Sequence, residues 1–180
     1  MKKLFICLAN SKKYTQRCIA GIELTPTARR GYRYDIVRRE NQPVWMRPVS
    51  DDDYGAVAAE SVDHITLMDI VAVDVVAPAP CGYQSENVRF VGRRLEVVET
   101  VAPRAALLDK LLAVDVPTLF GDKKNAIPAI KIGQIDRSLL LIKPTSFNIH
   151  YKPGQTGPTQ ATSSYFSIWS PFLRSPDHRH

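Results

Sequence analysis

The stretch Leu4–Leu24, LFICLANSKKYTQRCIAGIEL, decides how the rest of the chain is interpreted. Its first apolar run, Leu4–Ala9, has the β-branched and aromatic content of a buried strand. Asn10 and Ser11 favour a turn, because both side chains can hydrogen-bond their own backbone. The second apolar run, Cys18–Leu24, predicts a returning strand. The stretch therefore predicts a strand, a polar loop and a second strand.

The predicted loop is basic. Lys12, Lys13 and Arg17 place three cations within it. Gly21, inside the second strand, indicates a bend, a bulge or the close approach of another backbone segment. Residues 1–50 carry a net charge of +8, residues 51–100 carry −7 and residues 101–180 carry +5. This asymmetry favours a basic face built from the first third of the chain, and the alternative is a solvated surface with no bound polyanion.

Length and composition limit the possible classes of protein. A chain of 180 residues with 44% hydrophobic content can form one domain or two small ones. The three cysteines, Cys7, Cys18 and Cys81, show no CxxC spacing, which argues against a disulfide framework or a zinc ribbon. The sequence shows no secretory leader pattern and no apolar run near the ~20 residues of a membrane span. We therefore expect a reducing, cytoplasmic setting.

Many short apolar runs separated by turn residues predict a mainly β protein. Short helices are predicted over Asp51–Glu60 and Pro103–Ala113, the second from leucines at helical spacing. This pattern is typical of small OB-like or SH3-like barrels, and we expect two of them packed together. The predicted division is an N-terminal barrel (1–100), a helix with a second barrel whose closing strands the sequence does not identify (101–153), and a loose tail (154–180).

The sequence contains no catalytic constellation. No GxSxG, HExxH or phosphate-cradling glycine loop occurs. Cys81 and His64 could form a nucleophilic pair, but any chain with three cysteines and several histidines offers such pairs. The run Asp51–Asp53 could hold a metal, although nothing near it in the sequence completes a site. We therefore expect a binding module that is not an enzyme and has neither metal nor cofactor.

Five short motifs follow one another within about the first 150 residues: Leu8–Lys13 (LANSKK), Arg17–Gly21 (RCIAG), Trp45–Ser50 (WMRPVS), Met68–Val71 (MDIV) and Tyr83–Asn87 (YQSEN). In this order they resemble the bacterial dual OB-containing domain. The resemblance implies two OB-like barrels and a nucleic-acid or nucleotide-sensing role in prokaryotic conflict systems. The tail after about Gly154 departs from it, because it lacks a strand-rich ending.

With this family, the expected ligand is single-stranded nucleic acid or a nucleotide. The alternatives are a protein-interaction module that docks an acidic partner and a hydrolase that uses Cys81 or Asp51–Asp53. The residues predicted to contact phosphate are Lys12, Lys13, Arg17 and Arg47. The polar side chains predicted to recognise the rest of the ligand are Asn10, Ser11, Gln84, Glu86 and Asn87.

Overall fold

The computed structural model is mainly β and describes residues 1–13, 15–28, 33–50, 55–113, 120, 127, 129–143, 146–152 and 160–167. The helices are α1 (Ala59–Val62), α2 (Ala105–Leu111) and α3 (Ala129–Ile132). The strands are β1 (Lys2–Lys13), β2 (Gln16–Pro26), β3 (Tyr34–Ile36), β4 (Arg38–Arg39), β5 (Gln42–Pro43), β6 (Trp45–Val49), β7 (Val57–Ala58), β8 (Asp69–Pro78), β9 (Asn87–Thr100), β10 (Ser146–Lys152) and β11 (Gln160–Ser167). The predicted fold class is confirmed.

Five of these strands close into a barrel. Around the ring the order is β1, β8, β9, β6 and β2, and β2 pairs back onto β1. Neighbouring strands are antiparallel except β6 and β9, which are parallel. This is the five-stranded Greek-key arrangement of an OB-fold, and α1 lies between β6 and β8 in the chain. Short strands β3 and β7 extend the sheet from β2.

Strand β1 is buried on both faces, which explains its continuous apolar run. Successive side chains of a strand point to opposite faces. Phe5 and Cys7 belong to the barrel core, to which all five barrel strands contribute. Leu4, Ile6 and Leu8 belong instead to a second cluster on the outside of the barrel. The other strand and helix residues of this outer cluster include Ile22, Leu24, Trp45, Ile70, Leu107, Leu108 and Leu111, together with Leu141.

Gly21 lies where β1 and β2 approach each other most closely. A Cβ atom at this position would lie 1.9 Å from the carbonyl oxygen of Ile6 and 2.7 Å from the Phe5 ring. No side chain fits at that separation, so only glycine allows the two strands to pair here. Close backbone approach at Gly21 is therefore confirmed. A β-bulge lies beside it, because β1 has one extra residue between Cys7 and Ala9, which pair with Gly21 and Ala20.

The entry into β8 is fixed by a buried carboxylate. Thr66 donates its backbone N–H (2.7 Å) and its hydroxyl (3.1 Å) to Asp69, and the Thr100 hydroxyl donates to the other carboxylate oxygen at 2.6 Å. Burial alone would raise the pKa of Asp69, but these hydrogen bonds hold it below its ordinary value. The network joins the start of β8 to the end of β9.

The helix predictions differ in outcome. The second predicted helix agrees with α2, which ends two residues earlier than expected. The first agrees only at its C-terminal end: residues 55–58 are not helical, and α1 begins at Ala59, so only the last two residues of the prediction are helical. Asp51–Asp53 lie outside the described residues. None of the helices in the described ranges is long and apolar enough to cross a bilayer.

The C-terminal part also differs from the sequence expectation. The apolar run Ser138–Lys143 has a composition that predicts a strand, but it forms no strand. Instead, β10 pairs with β11 in a separate two-stranded sheet. Residues 160–167, assigned from the sequence to a loose tail, are therefore a strand with a paired partner, while residues 168–180 lie outside the described part.

Candidate nucleic-acid interface

The β1–β2 hairpin carries the first group of predicted contact residues. The sequence predicts a break at Asn10 and Ser11, but β1 continues through both to Lys13. Asn10 lies opposite Ile19 and Ser11 lies opposite Cys18. Cross-strand pairing at these positions outweighs the local preference for a turn. The predicted polar loop is therefore mostly an extension of the two strands.

Two of the three cations of the hairpin, Lys12 and Arg17, lie opposite each other, while Lys13 lies opposite Gln16. Lys12 is the register partner of Arg17, and its side chain is exposed. Like charges directly opposite each other on a sheet destabilise it. Arg17 meets Asp63 after α1, with 2.6 Å between Nε and the carboxylate oxygen. Asp63 therefore offsets one of the two positive charges, in a pair that is partly exposed to solvent.

Asn10 connects the hairpin to the end of α1. Its amide nitrogen donates to the carbonyl oxygens of Val62 (3.0 Å) and Ile65 (2.8 Å). Its Oδ1 atom is buried and has no hydrogen-bond partner within the described residues. The Asn10 amide therefore holds the hairpin against the end of α1. A ligand can contact Asn10 only where this residue lines the neighbouring cavity.

That cavity, which we call the hairpin pocket, is shallow and has a volume of about 420 Å³. It combines polar groups with an apolar wall on which Leu67 is 59% exposed. Its shape and composition can accept a flat ring beside charged groups. The lining residues are Leu8, Ala9, Asn10, Ser11, Arg17, Asp63, Ile65, Thr66 and Leu67.

The second group of predicted contact residues is Arg47, Gln84, Glu86 and Asn87, which we call the Glu86 cluster. Arg47 donates from Nε to the Asn87 side-chain oxygen at 2.6 Å. Its Nη2 atom lies 3.5 Å from Glu86, an ion-pair contact without hydrogen-bond geometry. Asn87 donates to the Gln84 side-chain oxygen at 3.3 Å. The side chain of Glu86 is only 3% exposed.

The segment 135–143 covers the Glu86 cluster. The Ser138 hydroxyl donates to Glu86, and the Ser138 backbone N–H lies 3.4 Å from the same carboxylate. The Ser85 hydroxyl donates to the Asp136 carbonyl oxygen. The polar groups of the cluster are therefore largely engaged with one another and with this segment.

The outer surface of β2 and β6 is covered as well. OB-folds bind oligonucleotides on this surface and on the adjoining loops. Here Ile22 is fully buried, and Trp45 packs into the outer cluster together with Leu141. Of the two predicted groups, the hairpin residues thus have the more accessible side chains, and the Glu86 cluster the less accessible ones.

Part of the opposite charge of residues 1–50 and residues 51–100 is neutralised by ion pairs between these two segments. Four described ion pairs join a cation in residues 1–50 to a carboxylate in residues 51–100, which reduces the basic face expected from composition. Asp63 is not predictable as a site residue from the sequence, because nothing local distinguishes it from other surface carboxylates. The four pairs are Lys2–Glu96, Arg17–Asp63, Arg33–Glu99 and Arg47–Glu86.

The alternative chemistries draw no support from the described geometry. The ring nitrogens of His64 contact the Leu95 carbonyl oxygen (2.9 Å) and Arg94 (3.3 Å), and Cys81 lies in a turn with Gln84. Within the ranges that the structure describes, no group of three metal-ligating side chains comes together. The aspartate run proposed as a metal site lies outside those ranges.

Comparison with known families gives one result. The model of the dual OB-containing domain family matches residues 3–169, which is most of the chain. Neither a curated protein nor a solved structure matches it. The resemblance carried by the short motifs is confirmed over a longer range than those motifs cover.

Proposed function

The chain belongs to the dual OB-containing domain family, and on this premise we propose that it is a non-enzymatic module that binds single-stranded nucleic acid or nucleotides through its β1–β2 hairpin. OB barrels are recurrent platforms for such ligands, with the loop between their first two strands at the binding surface. The observation that carries the proposal is the hairpin pocket, which brings Asn10, Ser11 and Arg17 together next to exposed Lys12.

The chemistry of the pocket supports this class of ligand. Arg17 in the pocket and exposed Lys12, which lies opposite it on β1, offer positive charge for phosphate. Exposed Leu67 in the pocket offers an apolar surface for a base. Ser11 supplies an exposed hydroxyl. Phosphate contacts position a strand without reading its sequence, whereas groups that contact base edges create preferences. We therefore propose that the lysine and arginine give affinity and that Ser11 gives selectivity. Asn10, whose amide donates to the carbonyl oxygens of Val62 and Ile65, holds the hairpin in place.

The proposed setting is the cytoplasm, in a prokaryotic conflict system. Cys7, Cys18 and Cys81 are free thiols, which suits a reducing compartment. Burial raises the pKa of the Cys7 thiol to about 12, so this cysteine acts as an inert core residue. The place in a conflict system follows from the family resemblance alone.

The test is a salt series of oligonucleotide binding with Lys12→Ala. Fluorescence anisotropy with a single-stranded oligonucleotide should show about fivefold weaker binding at low salt, equivalent to ~1 kcal/mol for one contact. The slope of log affinity against log salt should fall by about 0.7, the value for one lost phosphate contact on single strands. The loss should be similar for all sequences.

Lys2→Ala is the matched control, because Lys2 is equally a surface lysine but pairs with Glu96 away from the hairpin pocket. It should leave the salt slope nearly unchanged. If the wild-type protein binds no oligonucleotide and no nucleotide at low salt, the proposal is wrong. Docking of an acidic protein partner by the same cations would then be the better account.

A further inference from the structure

A second cavity, which we call the α2 cleft, lies outside the barrel where β1, β2, β3 and β8 face α2. Its volume is about 740 Å³. Cavities of about 300–1,000 Å³ are the usual size for sites that hold small organic ligands. The α2 cleft shares no lining residue with the hairpin pocket, so it is a separate surface.

The floor of the α2 cleft is apolar and comes from both sides of the contact between barrel and helix. Tyr34, half-buried on β3, adds an aromatic ring to the wall. Aromatic faces and aliphatic side chains together favour a flat ring system over an extended polar chain. The floor residues are Ile6, Leu24, Ile36, Ile70, Leu107 and Leu111.

The rim of the α2 cleft carries three cations and two carboxylates. Arg33 is paired with Glu99 at 3.2 Å. Asp35 and Lys110 have interactions of their own. Arg104 is exposed, and no residue in the described part of the chain holds its guanidinium by a hydrogen bond or an ion pair. It stands just before α2 and makes no side-chain capping bond there.

We propose that the α2 cleft binds a small aromatic anion. The ring system lies on the apolar floor against Tyr34, and its phosphate or carboxylate meets the Arg104 guanidinium. Arginine suits this role because its planar fork donates two parallel hydrogen bonds to either kind of anion. The proposal goes beyond oligonucleotide binding at the hairpin and does not depend on it.

Isothermal titration of the full chain tests the proposal with two aromatic anions, adenosine monophosphate and 1-naphthoate. Inorganic phosphate tests the anionic group without the ring, and 1-naphthalenemethanol tests the ring without the charge. At least one aromatic anion should bind, and each partial probe should bind at least tenfold more weakly. Binding of naphthoate alone would identify a carboxylate ligand. Binding of the nucleotide alone would identify a phosphate ligand of the cleft only if its affinity falls in Arg104→Gln and not in Lys12→Ala, since the hairpin is also proposed to bind nucleotides. Binding of neither overturns the proposal.

Two variants locate the site. Arg104→Gln removes the charge, and Ala106→Phe places a ring in the cleft from an exposed helix position. Each should weaken binding of the aromatic anion at least tenfold. If Ala106→Phe fails to fold, Arg104→Gln alone decides, because its exposed side chain has no described structural contact. Unchanged affinity in Arg104→Gln overturns the proposal.

Crossing the variants separates this proposal from the one for the hairpin. Lys12→Ala should leave the affinity for the aromatic anion within twofold of the wild type. Arg104→Gln should leave oligonucleotide affinity within twofold. If the aromatic anion loses affinity in Lys12→Ala and not in Arg104→Gln, it binds at the hairpin pocket, and the α2 cleft is not its site.

Discussion

The hairpin end and the Glu86 cluster contain the same kinds of residue but use them differently. Each combines arginine, asparagine and a carboxylate. At the hairpin the Arg17–Asp63 pair is partly exposed, and Lys12 points to solvent. In the cluster the carboxylate of Glu86 is 3% exposed and is engaged by Arg47 and Ser138.

This difference separates polar residues available to a ligand from polar residues that hold the fold together. A buried charge is costly unless a partner and hydrogen bonds compensate it, so such groups must be engaged within the protein. An exposed pair is worth little to stability and can exchange its partner for a ligand. Changes in the Glu86 cluster should therefore alter stability, and changes at the hairpin should alter binding.

The largest effect is expected for Arg47→Met. The change removes the cation from the buried carboxylate of Glu86, and leaving such a charge unpaired costs about 3–5 kcal/mol. Urea unfolding followed by circular dichroism measures it. Arg137→Met is the control, since its partner Asp136 is 74% exposed, and it should cost less than ~1 kcal/mol. A loss of oligonucleotide binding with unchanged stability would instead make Arg47 a ligand contact.

Ser138→Ala should have an intermediate effect. The hydroxyl donates to the Glu86 carboxylate, and a hydrogen bond to a charged group contributes about 1.5–3 kcal/mol. Ser85→Ala is the comparison variant: it removes a hydroxyl that also joins the cluster to the segment 135–143, but whose acceptor is the neutral backbone carbonyl oxygen of Asp136. That variant should cost about 0.5–1.5 kcal/mol in the same urea experiment. Equal effects would show that the charge on Glu86 adds nothing to the contact.

Asp63→Asn should change stability least and should strengthen oligonucleotide binding, the opposite of the effect expected for Lys12→Ala. The partly exposed pair with Arg17 is worth about 0.2–1 kcal/mol, so unfolding should shift by no more than that. Releasing Arg17 for phosphate should strengthen oligonucleotide binding by a comparable amount, about 1.4- to 5-fold at low salt. Asp109→Asn, which removes an exposed carboxylate paired with Lys143, is the control. Weaker binding in Asp63→Asn would contradict the role given to Arg17.

The sequence predicts the fold well where two apolar runs form neighbouring strands that hydrogen-bond to each other. The run Leu4–Ala9 and the close approach at Gly21 both appear as expected, because each reflects a constraint within one pair of strands. The run Ser138–Lys143 fails as a strand, since apolar content alone does not distinguish a strand from a segment that covers a barrel.

The candidate site is less predictable because its accessibility depends on distant partners. Asp63 lies 46 positions after Arg17, and Ser138 lies 52 positions after Glu86. No local sequence pattern predicts either contact. The net charge of the first third indicates an anion-binding surface only if its cations stay unpaired, and the fold pairs four of them with the acidic middle segment.

The outer apolar cluster has a consequence for the order in which the protein matures on the ribosome. All strands of the barrel have been synthesised by residue 100, but Leu111 and Leu141, which cover its outside, follow later. At about 5–20 residues per second, the roughly 40 residues up to Leu141 take about 2–8 seconds. During that interval a nascent barrel would display Ile6, Ile22 and their neighbours to the solvent. This surface is suited to a chaperone that holds apolar patches until the covering segments arrive.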